Sequence, residues 1–88
     1  MSDPRIVVCG EALVDLVPTG GESFDARLGG GPFNVAVALG RLGSRTAFCS
    51  RVSTDAFGDR VLAALTASDV DTRTVQRGPE PTTLAVAA

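Results

Sequence analysis

The stretch Gly29-Gly30-Gly31-Pro32-Phe33-Asn34 constrains this chain more than any other. Three consecutive glycines strip the backbone of Cβ atoms, so the main chain can approach another segment or a ligand closely. Pro32 suits the first position of a helix, where its missing N–H would have had no partner. The apolar run from Val35 to Leu39, with Gly43 as a stop, predicts a helix from Pro32 to about Leu42. That helix is apolar nearly all round, and the pattern predicts burial between two layers. Ala36, Ala38 and Gly40 are small enough for close backbone approach. The helix N-terminus offers unpaired N–H donors, and Asn34 adds a donor and an acceptor within the first turn. Such a site suits a neutral hydroxylated ligand or an anion. A bare glycine-rich turn into a helix is the plainer alternative. The spacing does not match the dinucleotide fingerprint G-x-G-x-x-G.

The segments on either side read as strands and one more helix. Arg5 to Cys9 carries Ile6, Val7 and Val8 in succession, which predicts a buried strand ended by Gly10. Leu13 to Val17 predicts a second short strand, closed by a turn over Pro18-Thr19-Gly20-Gly21. Ser23 to Leu28 then returns as its antiparallel partner. Arg45 to Val52 predicts another strand. Asp55 caps a second helix with Phe57, Val61, Leu62 and Leu65 on one face. Asp69 to Asp71 reads as a turn. Thr72 to Gln76 and Thr82 to Ala88 are two further strands around Gly78-Pro79-Glu80-Pro81. Strands alternating with helices imply an α/β fold.

Composition excludes whole classes of chemistry. The 88 residues contain no histidine, and all eight cations are arginine. Histidine triads, histidine-ligated metals, Schiff bases and a Walker-type phosphate loop with its lysine are therefore excluded. With 44% apolar and 20% charged residues and a net charge of -2, neither disorder nor a disulfide scaffold fits. The mild acidity gives no electrostatic reason to bind nucleic acid or an anionic membrane. No apolar run reaches the roughly 18 residues needed to span a bilayer. The first residues show no basic segment leading into an apolar one, so the expected compartment is the cytoplasm. Cys9 and Cys49 each sit in an apolar run, and reduced core thiols are the expected reading; a disulfide or metal pair is the alternative. A chain this short buries only about 60–65% of its unfolded surface, so a lone core is marginal.

Asp15 is the other candidate for chemistry. It interrupts the apolar stretch Leu13 to Val17, just past the C-terminal end of the first strand, where α/β sheets place ligand contacts. An ionised carboxylate accepts hydrogen bonds from two hydroxyls at once, which suits a polyol. A solvated turn aspartate is the bland alternative.

Taken together, these motifs resemble the pfkB carbohydrate kinase family, which includes ribokinases and fructokinases, over essentially the whole chain. Gly10 with Asp15 five residues on matches the family's first strand and its sugar-contacting aspartate. Gly29-Gly30-Gly31-Pro32-Phe33-Asn34-Val35-Ala36, followed by Gly40-Arg41-Leu42-Gly43, matches its N-terminal signature. Arg51-Val52-Ser53-Thr54-Asp55-Ala56-Phe57-Gly58 resembles the next family block; Val70-Asp71-Thr72 and Pro81-Thr82-Thr83 also fall where the family has similar residues. Ribokinases carry an asparagine where this chain has Leu13 and a lysine where it has Gly31, which points toward fructokinase-like or 2-keto-3-deoxygluconate kinase-like members. Ser53 and Asp69 stand where the family usually has glycine, and local backbone adjustment is expected there.

The resemblance implies the N-terminal portion of a ribokinase-like three-layer α/β/α fold with part of a small β-sheet lid. It implies that residues 1–88 are an N-terminal fragment of a kinase domain, incomplete at the C-terminus. It implies ATP-dependent phosphorylation of a small sugar, a ketose or keto-sugar acid, by the complete protein. Asp15 and Asn34 would hydrogen-bond sugar hydroxyls, with the backbone at Gly29 and Gly30 closing around them. The family's Gly-Ala-Gly-Asp motif, with the catalytic base and anion hole, is not in this chain, nor is the Asn-x-x-Glu motif linked to magnesium. No catalytic residue and no metal ligand is therefore assigned here, and the ATP and Mg2+ that the family implies would be bound by residues outside this chain. A homodimer through the lid is a further implication for the complete protein. A non-catalytic sugar-binding or regulatory module, or a non-functional gene fragment, stands as the alternative.

Overall fold

The computed structural model describes residues 3–86. In chain order the elements are β1 (Ile6–Cys9), β2 (Leu13–Gly20), β3 (Ser23–Gly29), α1 (Gly31–Arg41), β4 (Thr46–Ser53), α2 (Ala56–Ala67), β5 (Val70–Asp71), β6 (Val75–Gly78) and β7 (Leu84–Val86). They form two sheets. In the larger one β4 is flanked by β1 on one side, and by β5 and then β6 on the other, all parallel. In the smaller one β2 pairs antiparallel with β3 and parallel with β7. The α/β expectation holds, and the small sheet is the lid-like element.

The core forms where both helices lie on the larger sheet. Phe33 and Ala36 of α1 and Val61 and Leu65 of α2 meet Phe48, Val52 and Val70 of the strands. Phe48 and Leu65 are fully buried. The rings of Phe33 and Phe48 meet edge to face, centroids 6.4 Å apart and planes at 80°, a favoured aromatic arrangement. In α2, residues four apart share a face, which is why Val61 and Leu65 point inward together. Gly40 lets α1 close on the chain beyond α2: a Cβ there would overlap the Ser68 carbonyl.

Alternation along the strands gives the small sheet two chemically different faces. Val14, Leu16, Phe24, Leu28, Leu84 and Val86 share one face by register. Val14 and Leu28 at its base pack inward, while Phe24, Leu84 and Val86 toward its tip are exposed. Asp15, Arg27 and Ala85 are register partners on the other face.

Several expectations need correction. β1 is not buried: Ile6 and Val7 are 37% and 52% exposed. Among the described residues it pairs only with β4, and the helices cover one face of its sheet. Nor is α1 buried all round. It buries Phe33, Ala36 and Gly40, but Val35 is half exposed and Leu42 lies at 81%. An apolar stripe that wraps a helix does not say how many layers enclose it. The helix also starts one residue early, at Gly31, with Pro32 second. β2 continues through Pro18 to Gly20, and the hairpin turns at Gly21-Glu22.

The turn after α2 is made by Ser68 and Asp69, the latter at φ +60, while Val70 and Asp71 form β5. Aspartate tolerates this left-handed backbone better than most residues, so a glycine is dispensable there. The strand expected from Thr72 begins only at Val75. Ala87 and Ala88, the end of the last expected strand, lie outside the described residues. Cys9 and Cys49 are not separate core thiols: they are register partners on β1 and β4, exposed and half-buried respectively, both free. A hydrogen bond to Cys49 raises the Cys9 thiol above its ordinary range. Among the described residues no helix is long and apolar enough to cross a membrane.

Candidate functional site

The site is built where the loop after β1, the lid hairpin and the start of α1 converge. Gly10 ends β1 and donates its N–H to the Cys49 carbonyl at 3.2 Å. A Cβ on Gly10 would overlap the ring of Pro32, and one on Gly30 would meet the Glu11 carbonyl oxygen at 2.9 Å. The loop 10–12 therefore lies directly against the N-terminus of α1. Gly30 is the N-cap of α1 at φ +101, a conformation that favours glycine, and it provides no side-chain cap. The Asn34 N–H donates to the Gly30 carbonyl at 2.9 Å, closing the first helical turn.

Asp15 joins this cluster from β2. It is half-buried, and a Cβ on Gly29 would run into its carboxylate. Gly29 is thus bare because Asp15 stands over it. The cross-strand neighbour Arg27 does not neutralise Asp15; it pairs instead with Asp25 at 3.6 Å, and both those side chains are largely exposed. Of the four residues singled out in the sequence, Asp15, Gly29 and Gly30 come together. Asn34 follows one turn into α1 and is exposed.

Beside this cluster lies a cleft of about 410 Å³, lined among others by Glu11, Ala12, Arg51, Glu80 and Thr82. Glu11 and Ala12 thus adjoin both the cleft and Gly30. Arg51 donates to both carboxylate oxygens of Glu80, at 3.1 and 3.2 Å, and holds that carboxyl below the usual range. Both side chains are more than half exposed, so the pair shapes the cleft more than it stabilises the fold. Sequence reasoning assigned Glu11, Arg51, Glu80 and Thr82 no individual role; no local pattern signals a contact between residues 29 apart in the chain.

Asp55 does cap α2 as expected, accepting from the Gly58 N–H at 2.8 Å. It also accepts from the Thr82 N–H at 2.9 Å and the Thr82 hydroxyl at 2.7 Å. Those bonds, led by the ones to Thr82, lower its carboxyl to about 2. No three His, Cys, Asp or Glu side chains gather as a metal cradle among the described residues.

Known proteins resemble this chain in sequence and in fold. The family model for pfkB family carbohydrate kinases matches residues 3–88. A fructokinase of Rhizobium leguminosarum bv. trifolii is 43% identical over 84 residues, covering 91% of this chain and 26% of that protein. The crystal structure of a Vibrio cholerae fructokinase with fructose, ADP and calcium ion bound superposes with a TM-score of 0.86 at 38% identity, covering 97% of this chain and 28% of that one. A 2-dehydro-3-deoxygluconokinase of Thermotoga maritima superposes at 0.82, with 26% identity, covering 93% of this chain and 27% of that one. The chain spans about a quarter of the length of the curated relatives it matches. Its fold is thus the N-terminal part of a ribokinase-like kinase, its likeness leans toward fructokinases, and the chain belongs to the pfkB family of carbohydrate kinases.

Proposed function

We propose that this chain supplies the sugar-recognition side of a fructokinase-like enzyme, which in its complete form transfers a phosphoryl group from ATP to a small ketose or keto-sugar acid. The observation that carries this reading is the half-buried Asp15 carboxylate, set over the bare backbone of Gly29 and beside the open N-terminus of α1. A carboxylate close to a helix N-terminus offers the acceptors and donors that a polyol's hydroxyls require. Asp15 and Asn34 bind hydroxyls in this reading, and Gly29 and Gly30 let the backbone close on the ring. Phosphoryl transfer depends largely on alignment, so these positioning contacts matter to rate as well as affinity.

The Leu13 side chain has no hydrogen-bonding group, and Gly31 has no side chain at all. Both features favour fructose or 2-keto-3-deoxygluconate over ribose. The nucleotide and its magnesium are held, in this reading, by residues beyond these 88, in the cytoplasm. The exposed Phe24, Leu84 and Val86 support pairing of two lids in a homodimer. A coupled ADP-release assay with a panel of sugars, run on the polypeptide as the cell makes it, tests the assignment. Fructose or 2-keto-3-deoxygluconate is expected to give the highest kcat/KM; ribose as the best substrate would overturn the argument from Leu13 and Gly31.

A further inference from the structure

The carboxylate of Asp55 does more than a helix cap requires. Its Oδ1 accepts from the Gly58 N–H at 2.8 Å, which caps α2. Serine at that position would cap a helix about as well. The same oxygen also accepts from the Thr82 hydroxyl at 2.7 Å, and Oδ2 accepts from the Thr82 N–H at 2.9 Å, 27 residues along the chain. Asp55 is itself anchored to the end of β4. Its own N–H donates to Ser53 Oγ at 3.1 Å, and the Thr54 N–H donates to the Gly78 carbonyl at 2.9 Å.

Thr82 is where the chain leaves the larger sheet for the lid. The next carbonyl, that of Thr83, accepts from the Val14 N–H at 2.9 Å. Leu84–Val86 then pair with Val14–Leu16 and set Ala85 opposite Asp15. Hydrogen bonds joined by the Thr82–Thr83 peptide link therefore connect the cap of α2 to the strand that carries Asp15. We propose that Asp55 is a positioning residue for the sugar site, whose grip on Thr82 fixes where β7 joins β2 and so where the Asp15 carboxylate stands. Its effect on the reaction rests on the sugar-kinase reading; its effect on the β2–β7 joint does not.

Three variants of the polypeptide as the cell makes it test this: Asp55→Ser, Thr82→Val and Thr82→Ser. Each is followed by amide hydrogen exchange and by sugar and nucleotide kinetics. In Asp55→Ser the Gly58 amide is expected to stay protected, while exchange at the Val14 amide rises about tenfold or more. Sugar kcat/KM is expected to fall by about ten- to a hundredfold with nucleotide KM unchanged, as for loss of charge-assisted hydrogen bonds. Thr82→Val should move both readouts the same way by less, and Thr82→Ser, which keeps the hydroxyl, should restore them. Unchanged Val14 exchange in Asp55→Ser and Thr82→Val would overturn the proposal, as would equal losses for sugar and nucleotide. If Asp55→Ser does not fold, the contrast between Thr82→Val and Thr82→Ser decides by the same criteria. A wild-type protein without sugar-dependent turnover contradicts the sugar-kinase reading instead, and Val14 exchange alone then decides the joint.

Discussion

At Gly29 a side chain is missing because the carboxylate of Asp15 occupies its place. That steric fact links two residues 14 positions apart in sequence, and it makes a prediction. Gly29→Ala must push the carboxylate aside, so sugar kcat/KM should fall while nucleotide KM stays the same; steady-state kinetics with each substrate varied checks it. Asp15 itself was legible in the sequence because a lone carboxylate in an apolar stretch stands out. Gly29 and Gly30 were legible as a place of close approach, though not what would approach. That partner is set by β2–β3 register, which a single sequence does not encode locally. Gly40 shows the same limit. In a free helix, alanine is favoured over glycine by about 1 kcal/mol. Here the added Cβ would overlap the Ser68 carbonyl and crowd Val70, so Gly40→Ala should lower Tm despite its better helix propensity. A raised Tm would show that α1 and the chain beyond α2 are not in contact.

Among the elements, α2 is read correctly at its start and along its face: Asp55 caps it, Val61 and Leu65 are buried, and Phe57 and Leu62 are half-buried. The missed part of Asp55 is its reach to Thr82, which no helix signal announces. The Asp55 carboxyl lies at about 2 in the folded protein, against about 3.9 in an unfolded chain. Its folded value is depressed, so its contribution to stability is complete above the unfolded value. It is lost as pH falls from about 4 to about 2. The Tm difference between wild type and Asp55→Ser should therefore be full near neutral pH and close across that window. Thermal melts from neutral to acid pH measure it; a gap that persists unchanged to about pH 2 would show that the carboxylate's charge is not involved. The misread elements share one cause. β1 and α1 are apolar enough to be covered on several sides, and periodicity alone does not reveal which sides are covered. β2 extends through Pro18 by pairing that residue with Phe24 of β3, a cross-strand contact that the turn signal alone does not announce.

For the molecule as a whole, one face of the larger sheet carries α1 and α2, while Val7 and Cys9 on β1 remain exposed. Val35, Leu42, Phe24 and Val86 add further apolar surface. Bare apolar faces and unpaired strand edges favour association. A polypeptide of these 88 residues alone should therefore lack a cooperative thermal transition, self-associate, and show no sugar-dependent ATP turnover. Circular dichroism, sizing and a coupled assay check this; a monomeric, cooperative unfolding transition would favour a self-sufficient sugar-binding module. The central claim is that this chain forms the sugar side of a kinase and that Asp15 is its main polar contact. Sugar and ATP kinetics of Asp15→Ala, in the polypeptide as the cell makes it, test that claim most directly. Losing a charge-assisted hydrogen bond costs about 1.5–3 kcal/mol, so sugar kcat/KM should fall roughly ten- to a hundredfold with the KM for ATP unchanged. Unaltered sugar kinetics in that variant, or an equal loss for ATP, would contradict it.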